Sequence, residues 1–181
     1  MIDEYQTVQD NNTWQLVDCP QHVKPIGCKW VYRIKYKQNG DIDKYKVRLV
    51  AKGFAQQEGI DYEETFSPTA KWNTICLTLA LAAQKGWKVH QMDVKSAFLN
   101  GDLQEEVYMT QPPGFEIEGQ EHKVCKLIKA LYGLKQAPHA WYAKMDEYLR
   151  KVGFHHSESD DTLYVRQQGK YLVILIMYVD D

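Results

Sequence analysis

Residues 30–49 read WVYRIKYKQNGDIDKYKVRL, two alternating runs joined at Asn39-Gly40. Asn-Gly between alternating runs is a strong short-range signal for a β-hairpin. With the turn at that dipeptide, Trp30 pairs with Leu49, Tyr32 with Val47, Ile34 with Tyr45 and Tyr36 with Asp43. The other face collects Val31, Arg33, Lys35 and Lys37 with Arg48, Lys46, Lys44 and Ile42. Both strands sort the same way, and a slip of one residue would turn every side chain over, so the register is well specified. The sorting carries a cost. Lys35 stands opposite Lys44 and Arg33 opposite Lys46, and like charges directly opposite destabilise a sheet. A phosphate backbone would supply the missing counter-charge. Without one, the hairpin is a solvated arm whose side chains splay apart.

The charge pattern extends beyond the hairpin. Between residues 24 and 52 nine cations stand against two acids, on a chain of 181 residues with a formal net charge of −2. A basic segment on an otherwise acidic chain points to a localised polyanion site. Apolar residues are 44% and charged residues 25%, the balance of a globular domain, which excludes a disordered tail, a collagen-like fibre and a disulfide-stapled miniprotein. Cys19, Cys28, Cys76 and Cys125 form no CxxC pair, so no zinc knuckle is expected. A reduced intracellular setting fits such cysteines, with a cytoplasmic particle and the nucleus equally open. The polar N-terminus is not a signal peptide. The longest apolar run, Tyr171 to Val179, is about half of the ~20 residues that a membrane helix needs, so no membrane partner is expected.

Outward from the hairpin, Lys71 to Lys85 reads as a mostly buried helix through Ile75, Leu77, Leu79 and Ala80 to Ala83, with Gly86 as its C′ residue. Trp87 to Met92 reads as a short strand ending at Asp93. Asn100-Gly101-Asp102 marks a turn, and Val107 to Met109 is strand-like before the break at Gln111-Pro112-Pro113-Gly114. Pro138 to Val152 reads as a helix whose stripe of Trp141, Tyr142, Met145, Tyr148, Leu149 and Val152 is core. Thr162 to Arg166 and Tyr171 to Val179 read as strands around Gln168-Gly169. Strands and helices mix without a βαβ rhythm, which makes α+β the expected class.

The carboxylates carry the chemistry. The last strand, YLVILIMYVDD, is apolar until it meets Asp180 and Asp181. Ionised carboxylates are costly to desolvate unless paired or metal-bound. Asp93 ends a second apolar stretch, in HQMDVKSAF. Three carboxylates at strand ends suit two hard divalent cations, because Mg²⁺ takes one or two carboxylates plus substrate phosphates. Together with the basic hairpin they point to phosphoryl transfer on nucleic acid. That reading requires Asp93, Asp180 and Asp181 to converge.

The blocks GCKWVYRIKY, RLVAKGFAQQEGIDYEETFSP, HQMDVKSAFLNGDLQEEVYMTQPPGF, LYGLKQAPHAWY and YVDD, in that order, resemble the reverse transcriptase domain of copia-type LTR retrotransposons. The resemblance runs over residues 12–181. It implies a right-hand polymerase, with a basic fingers hairpin and loop over residues 24–70. Residues 71–181 would be mainly palm with interleaved fingers elements. Asp93, Asp180 and Asp181 match the metal-binding aspartates, implying two Mg²⁺ ions, with Mn²⁺ as an alternative. Ser96 and Ala97 would lie along the triphosphate, and Phe98 would abut the sugar. Tyr132 to Pro138, including Lys135 and Gln136, resembles the segment that holds template and incoming nucleotide. Arg48, with Lys46 or Lys52, resembles the cations that grip the triphosphate, and Arg33, Lys35, Lys37 and Lys44 would face nucleic acid.

The implied partners are an RNA template, a DNA primer and deoxynucleoside triphosphates. Cys76 and His139 depart from the family by standing where arginine is expected. The family continues past Asp-Asp into the rest of the palm, a thumb and an RNase H domain, whereas this chain stops at Asp181. The expectation is therefore an incomplete palm without a thumb, and little or no synthesis by the chain alone. A catalytically inactive nucleic-acid-binding remnant and a gene fragment without function stay open beside the polymerase reading.

Overall fold

The computed structural model describes residues 1–178. In chain order these form α1 (Ile2–Asp10), β1 (Trp14–Asp18), β2 (Cys28–Tyr36), β3 (Ile42–Ala51), α2 (Trp72–Lys85), β4 (Asp102–Met109), β5 (Lys123–Lys129), α3 (Ala137–Lys151), β6 (His155–Ser157), β7 (Asp160–Gln168) and β8 (Tyr171–Ile176). Single 3₁₀ turns cover Gly53–Ala55 and Ala97–Asn100. Helices mix with antiparallel strands without a βαβ rhythm, in line with the expected α+β class.

β2 and β3 pair as their alternation requires, with Trp30 opposite Leu49, Arg33 opposite Lys46 and Lys35 opposite Lys44. The last pair differs: Tyr36 faces Ile42, not Asp43. The cause lies in the turn. The Lys37 N–H donates to the Asp41 carbonyl at 2.8 Å, and the Gly40 N–H donates to the Lys37 carbonyl at 3.0 Å. Gly40 sits at φ +88°, so the loop has three residues and closes through a left-handed glycine. The extra residue shifts the register by one at the tip. Cys28, Leu49 and Ala51 at the base are buried, whereas Tyr32, Ile34 and Tyr45 are exposed, so the arm stands out from the core.

The base of the arm is held by the sheet ordered β1-β5-β4. Trp14 pairs with Leu127, and Val107 faces Leu127 from the other side. Ile26 lies against the edge of β4, donating to the Tyr108 carbonyl at 2.8 Å and accepting from the Thr110 N–H at 2.9 Å. Ile26, Leu49, Leu99, Val107, Met109, Leu127 and Leu131 meet in one buried cluster. A second cluster joins Leu149 of α3 to Tyr164 on β7, Phe154 just before β6 and Met177 just after β8. The Tyr164 hydroxyl donates to Asp146 at 2.9 Å, so even its polar end is satisfied. On α3, Trp141 and Leu149 are buried and Tyr142 and Met145 pack against the core, but Tyr148 and Val152 reach the surface.

Two expectations are corrected. α2 forms and ends at Gly86 in the left-handed conformation, but only Ala82 on it is buried, and Trp72, Leu77 and Leu79 are exposed. Its N-terminal turn is tied by Thr74 to Asp160 and by Lys71 to the Ser159 carbonyl. Residues 87–94 form no strand. A strand needs a neighbour for its ladder, and among the described residues β8 pairs with β7 alone. β8 ends at Ile176, where a strand to Val179 is expected, and Val179 lies outside the described residues. No helix among the described residues is long and apolar enough to cross a membrane.

Candidate nucleotide and nucleic-acid site

The register of the arm puts its cations where the like-charge ladder requires. Arg33, Lys35, Lys37 and Lys44 are exposed, and Lys46 and Arg48 are partly buried nearer the base. The Lys46 ammonium is held below the usual lysine range, first by burial and then by the positive charges of Arg48, Lys35 and Lys44. Asp93 acts on it in the opposite direction. The ladder thus costs electrostatic energy that an anion laid along it would relieve.

At the base of the arm three side chains from distant parts of the sequence meet. The Arg48 guanidinium lies over the Tyr132 ring, 4.5 Å from its centroid. The Phe98 ring meets Tyr132 edge-on, with centroids 5.0 Å apart. Burial raises the Tyr132 hydroxyl above its usual range; Arg48 works against this, and Glu4 and Asp93 work with it. Glu4 on α1 is itself raised by burial, with the Leu49 backbone and the charges of Arg48 and Lys46 pulling it down. Arg48, Tyr132 and Phe98 therefore form one contact cluster, and the charges of Lys46, Glu4 and Asp93 are felt at Arg48 or Tyr132.

Phe98 reaches it from the turn that follows Asp93. Ser96 takes φ 54°, a left-handed conformation uncommon for a residue with a Cβ, and opens the 3₁₀ turn Ala97–Asn100. Backbone strain of this kind clusters at ligand sites and switch regions. Ser96, Ala97 and Phe98 are half-buried, while Leu99 is fully buried and pins the turn to the main core.

The segment carrying Tyr132 is fastened to the end of β3. The Ala51 N–H donates to the Tyr132 carbonyl at 2.7 Å. Gly133 follows at φ +91°, and a Cβ there would fall 2.2 Å from the Ala51 carbonyl oxygen. Two glutamines complete the junction. Gln56 accepts from the Lys135 N–H at 2.9 Å and donates to Gln136 Oε1 at 2.9 Å, and Gln136 donates to the Asp61 carbonyl at 2.8 Å. Gln136 is buried with its amide engaged in these bonds. The Lys135 ammonium donates to the Tyr62 hydroxyl at 2.9 Å.

Of the candidate triphosphate cations, Arg48 contacts Tyr132, Lys46 lies two residues from Arg48 on the same face of β3, and Lys52 lies over Gly27. Gln56, Asp61, Tyr62 and Glu4 are site neighbours that sequence reasoning missed. Gln56 to Tyr62 stand inside one of the quoted blocks, but a buried amide pair has no spacing signature.

Asp93 is exposed. Asp180 and Asp181 lie outside the described residues, and so does their expected convergence with Asp93. Among the described residues no three His, Cys, Asp or Glu side chains are grouped to hold a metal ion. Of the two departures, Cys76 is exposed on α2, and the His139 imidazole bonds the Phe66 carbonyl at 2.7 Å.

Comparison with known proteins supplies the family. A family described as reverse transcriptase (RNA-dependent DNA polymerase) matches residues 11–181. The retrovirus-related Pol polyprotein from transposon RE1 of Arabidopsis thaliana is 50% identical over 172 residues, covering 94% of this chain and 12% of that protein. The corresponding polyprotein from transposon TNT 1-94 of Nicotiana tabacum is 46% identical over 182 residues, covering 100% of this chain and 14% of its own length. The Transposon Ty1-ER2 Gag-Pol polyprotein of Saccharomyces cerevisiae is 31% identical over 143 residues, 76% of this chain and 8% of that protein. The chain thus spans a small fraction of these relatives. No solved structure matches it. With the family match extending over nearly every residue and the copia-type blocks in order, the chain belongs to the reverse transcriptase family, in the form found in retrotransposon Pol polyproteins.

Proposed function

We propose that this chain is the fingers and part of the palm of an RNA-directed DNA polymerase, extending a DNA primer 3′-OH on an RNA template. Residues 24–70 supply the fingers arm and loop, and residues 71–181 mainly palm. The thumb and RNase H regions belong to other parts of the polyprotein. The observation that carries the reading is the meeting of Arg48, Tyr132 and Phe98, with Asp93 five residues before Phe98 and its charge felt at Tyr132. A nucleoside triphosphate needs a cation for its phosphates, a flat wall for its sugar and a carboxylate beside its reacting phosphorus, and this neighbourhood offers all three.

The Arg48 fork would take phosphate oxygens two at a time, with its plane fixed by the face of Tyr132. Burial and positive neighbours hold the Lys46 ammonium below the usual lysine range, and a phosphate beside it would offset those neighbours. Phe98 closes the sugar edge against a ribose 2′-OH. Gln136 and Lys135 act on the nucleotide through the segment that they fasten. Asp93 would hold the ions together with Asp180 and Asp181, which lie outside the described residues; carboxylate oxygens are the hard donors that Mg²⁺ takes, with Mn²⁺ as an alternative. When bound, such ions lower the pKa of the primer hydroxyl and stabilise the pyrophosphate leaving group. Primer extension on an RNA template by a Pol polyprotein carrying this chain tests the reading, and no incorporation with Mg²⁺ or Mn²⁺ present would overturn it.

The arm makes a separate prediction. Lys35→Ala with Lys46→Ala should weaken binding of an RNA–DNA template-primer with little sequence preference. It should also shrink the slope of log affinity against log salt by about one for each phosphate that is no longer neutralised. Both lysines sit opposite another cation in the ladder, so the folded arm should gain slightly in stability. Fluorescence anisotropy at several salt concentrations reads the slope, and an unchanged slope means that these lysines face only solvent.

A further inference from the structure

Tyr132 touches both halves of the nucleotide neighbourhood. The Arg48 guanidinium lies 4.5 Å from its ring centroid, and the edge of Phe98 meets the same ring at 5.0 Å. We propose that Tyr132 is a positioning residue that couples the triphosphate grip to sugar selection, a proposal that rests on the roles given above to Arg48 and Phe98.

The argument is mechanical. A phenylalanine in a surface turn excludes a 2′-OH only if it cannot move aside, and Phe98 is half-buried in the turn that Ser96 opens. The partner in its edge-on contact is Tyr132, and aromatic pairs of this geometry contribute beyond the area that they bury. An arginine side chain in solvent samples many rotamers, and stacking on a ring removes most of them before a phosphate arrives. Tyr132 can do both only if its own backbone is fixed. The Ala51 N–H holds its carbonyl at 2.7 Å. The next residue, Gly133, is wedged against Ala51, and Gln56 clamps Lys135 and Gln136 just beyond. The ring is a fixed post between two side chains that the substrate must find in place.

The test is steady-state incorporation of dATP and ATP by a Pol polyprotein carrying this chain, with Tyr132→Phe, Tyr132→Leu, Arg48→Lys and Phe98→Ala. Tyr132→Leu keeps apolar bulk but removes the ring. It should raise the ATP-to-dATP ratio of kcat/KM roughly tenfold, the scale on which a methylene-sized change in a pocket alters specificity. It should also raise the KM for dATP with kcat nearly unchanged. Tyr132→Phe keeps the ring and should stay within about twofold of the parent on both measures. Combined with Phe98→Ala, Tyr132→Leu should add little to the ratio, because both act on one wall.

If Tyr132→Leu lowers kcat while leaving the ratio unchanged, the coupling is wrong even where Phe98→Ala relaxes selection as expected. If Phe98→Ala leaves the ratio unchanged as well, the sugar wall itself is misassigned and the coupling falls with it. Should Tyr132→Leu fail to fold, Arg48→Lys decides: it keeps the charge, loses the planar stack and should raise the KM for dATP. A KM equal to the parent's overturns the proposal.

Discussion

Gly133→Ala should destabilise the chain severely. At φ +91° any L-residue is strained, and the added Cβ would stand 2.2 Å from the Ala51 carbonyl oxygen and 2.6 Å from Val50 Cγ1. The carbonyl cannot step aside, because the neighbouring Ala51 N–H is bonded to Tyr132 at 2.7 Å and Ala51 itself is buried. Relief on the other side is closed too: Gly53 packs so near that a Cβ on it would fall 2.0 Å from the Gly133 carbonyl oxygen. Left-handed strain alone costs about 1–2 kcal/mol, and a backbone overlap that no rotamer can relieve should take the loss beyond ~4 kcal/mol. Gly40→Ala is the matched control. Gly40 has nearly the same φ, +88°, with nothing within 4 Å of the added Cβ, so only the conformational term remains there. Urea unfolding of the two variants separates the contributions, and equal losses at both positions would show that the junction between β3 and the Tyr132 segment is looser than its geometry.

That junction also marks the boundary of what the sequence discloses. The register of the arm was legible because two strands each alternate with period two about an Asn-Gly, so a single choice of turn satisfies both at once. Its tip was misjudged by one residue, since Asn39-Gly40 suits both a two-residue and a three-residue loop. The choice falls to the bond between Lys37 and Asp41. The helix over Trp72–Lys85 was legible, but its burial was not. Apolar composition states what a segment would bury and not whether a neighbour lies over it, and Leu77 and Leu79 are exposed.

β5, the central strand of its sheet, went unread. Lys123, Lys126 and Lys129 break up a run in which Val124 and Cys125 are both buried although they point to opposite faces. Local pattern rules recognise one wet face and one dry face, and here Val124 is buried on the same face on which Ile128 is exposed. The site divides along the same line. Phe98, Arg48 and the Tyr132 segment were each identified from their blocks. That they meet depends on contacts across at least 34 positions of chain, between Phe98 and Tyr132, and no periodicity encodes such a meeting. The Gln56–Gln136 bond spans 80 positions. It joins two glutamines, a residue type that usually lies on surfaces, and only their shared burial identifies them.

Asp93→Asn should separate folding from chemistry more sharply than any other single change. The side chain is exposed, and asparagine has the same shape, so stability should change by less than about 0.5 kcal/mol. What disappears is the negative charge that is felt at both Lys46 and Tyr132. Without it the Lys46 ammonium loses a negative neighbour that supports its charge and is held slightly lower still. A phosphate backbone approaching the arm then meets one negative charge fewer, so template-primer affinity in the absence of divalent ions should hold or rise slightly.

Incorporation by a Pol polyprotein carrying this chain should move the other way. The metal-holding role proposed for Asp93 makes its removal lower kcat by on the order of 10³-fold, because the cations that would offset phosphate charge at the reacting centre lose a ligand. Raising Mg²⁺ should not restore it if the carboxylate is needed in place and not merely as a source of affinity. The two readouts carry opposite signs, and a misfolded variant cannot produce both. Thermal unfolding, anisotropy with a template-primer and single-nucleotide incorporation on one preparation give the complete set. Incorporation within tenfold of the parent would remove Asp93 from the reacting centre, and with it the main reason to look for the ion site beside Arg48, Tyr132 and Phe98.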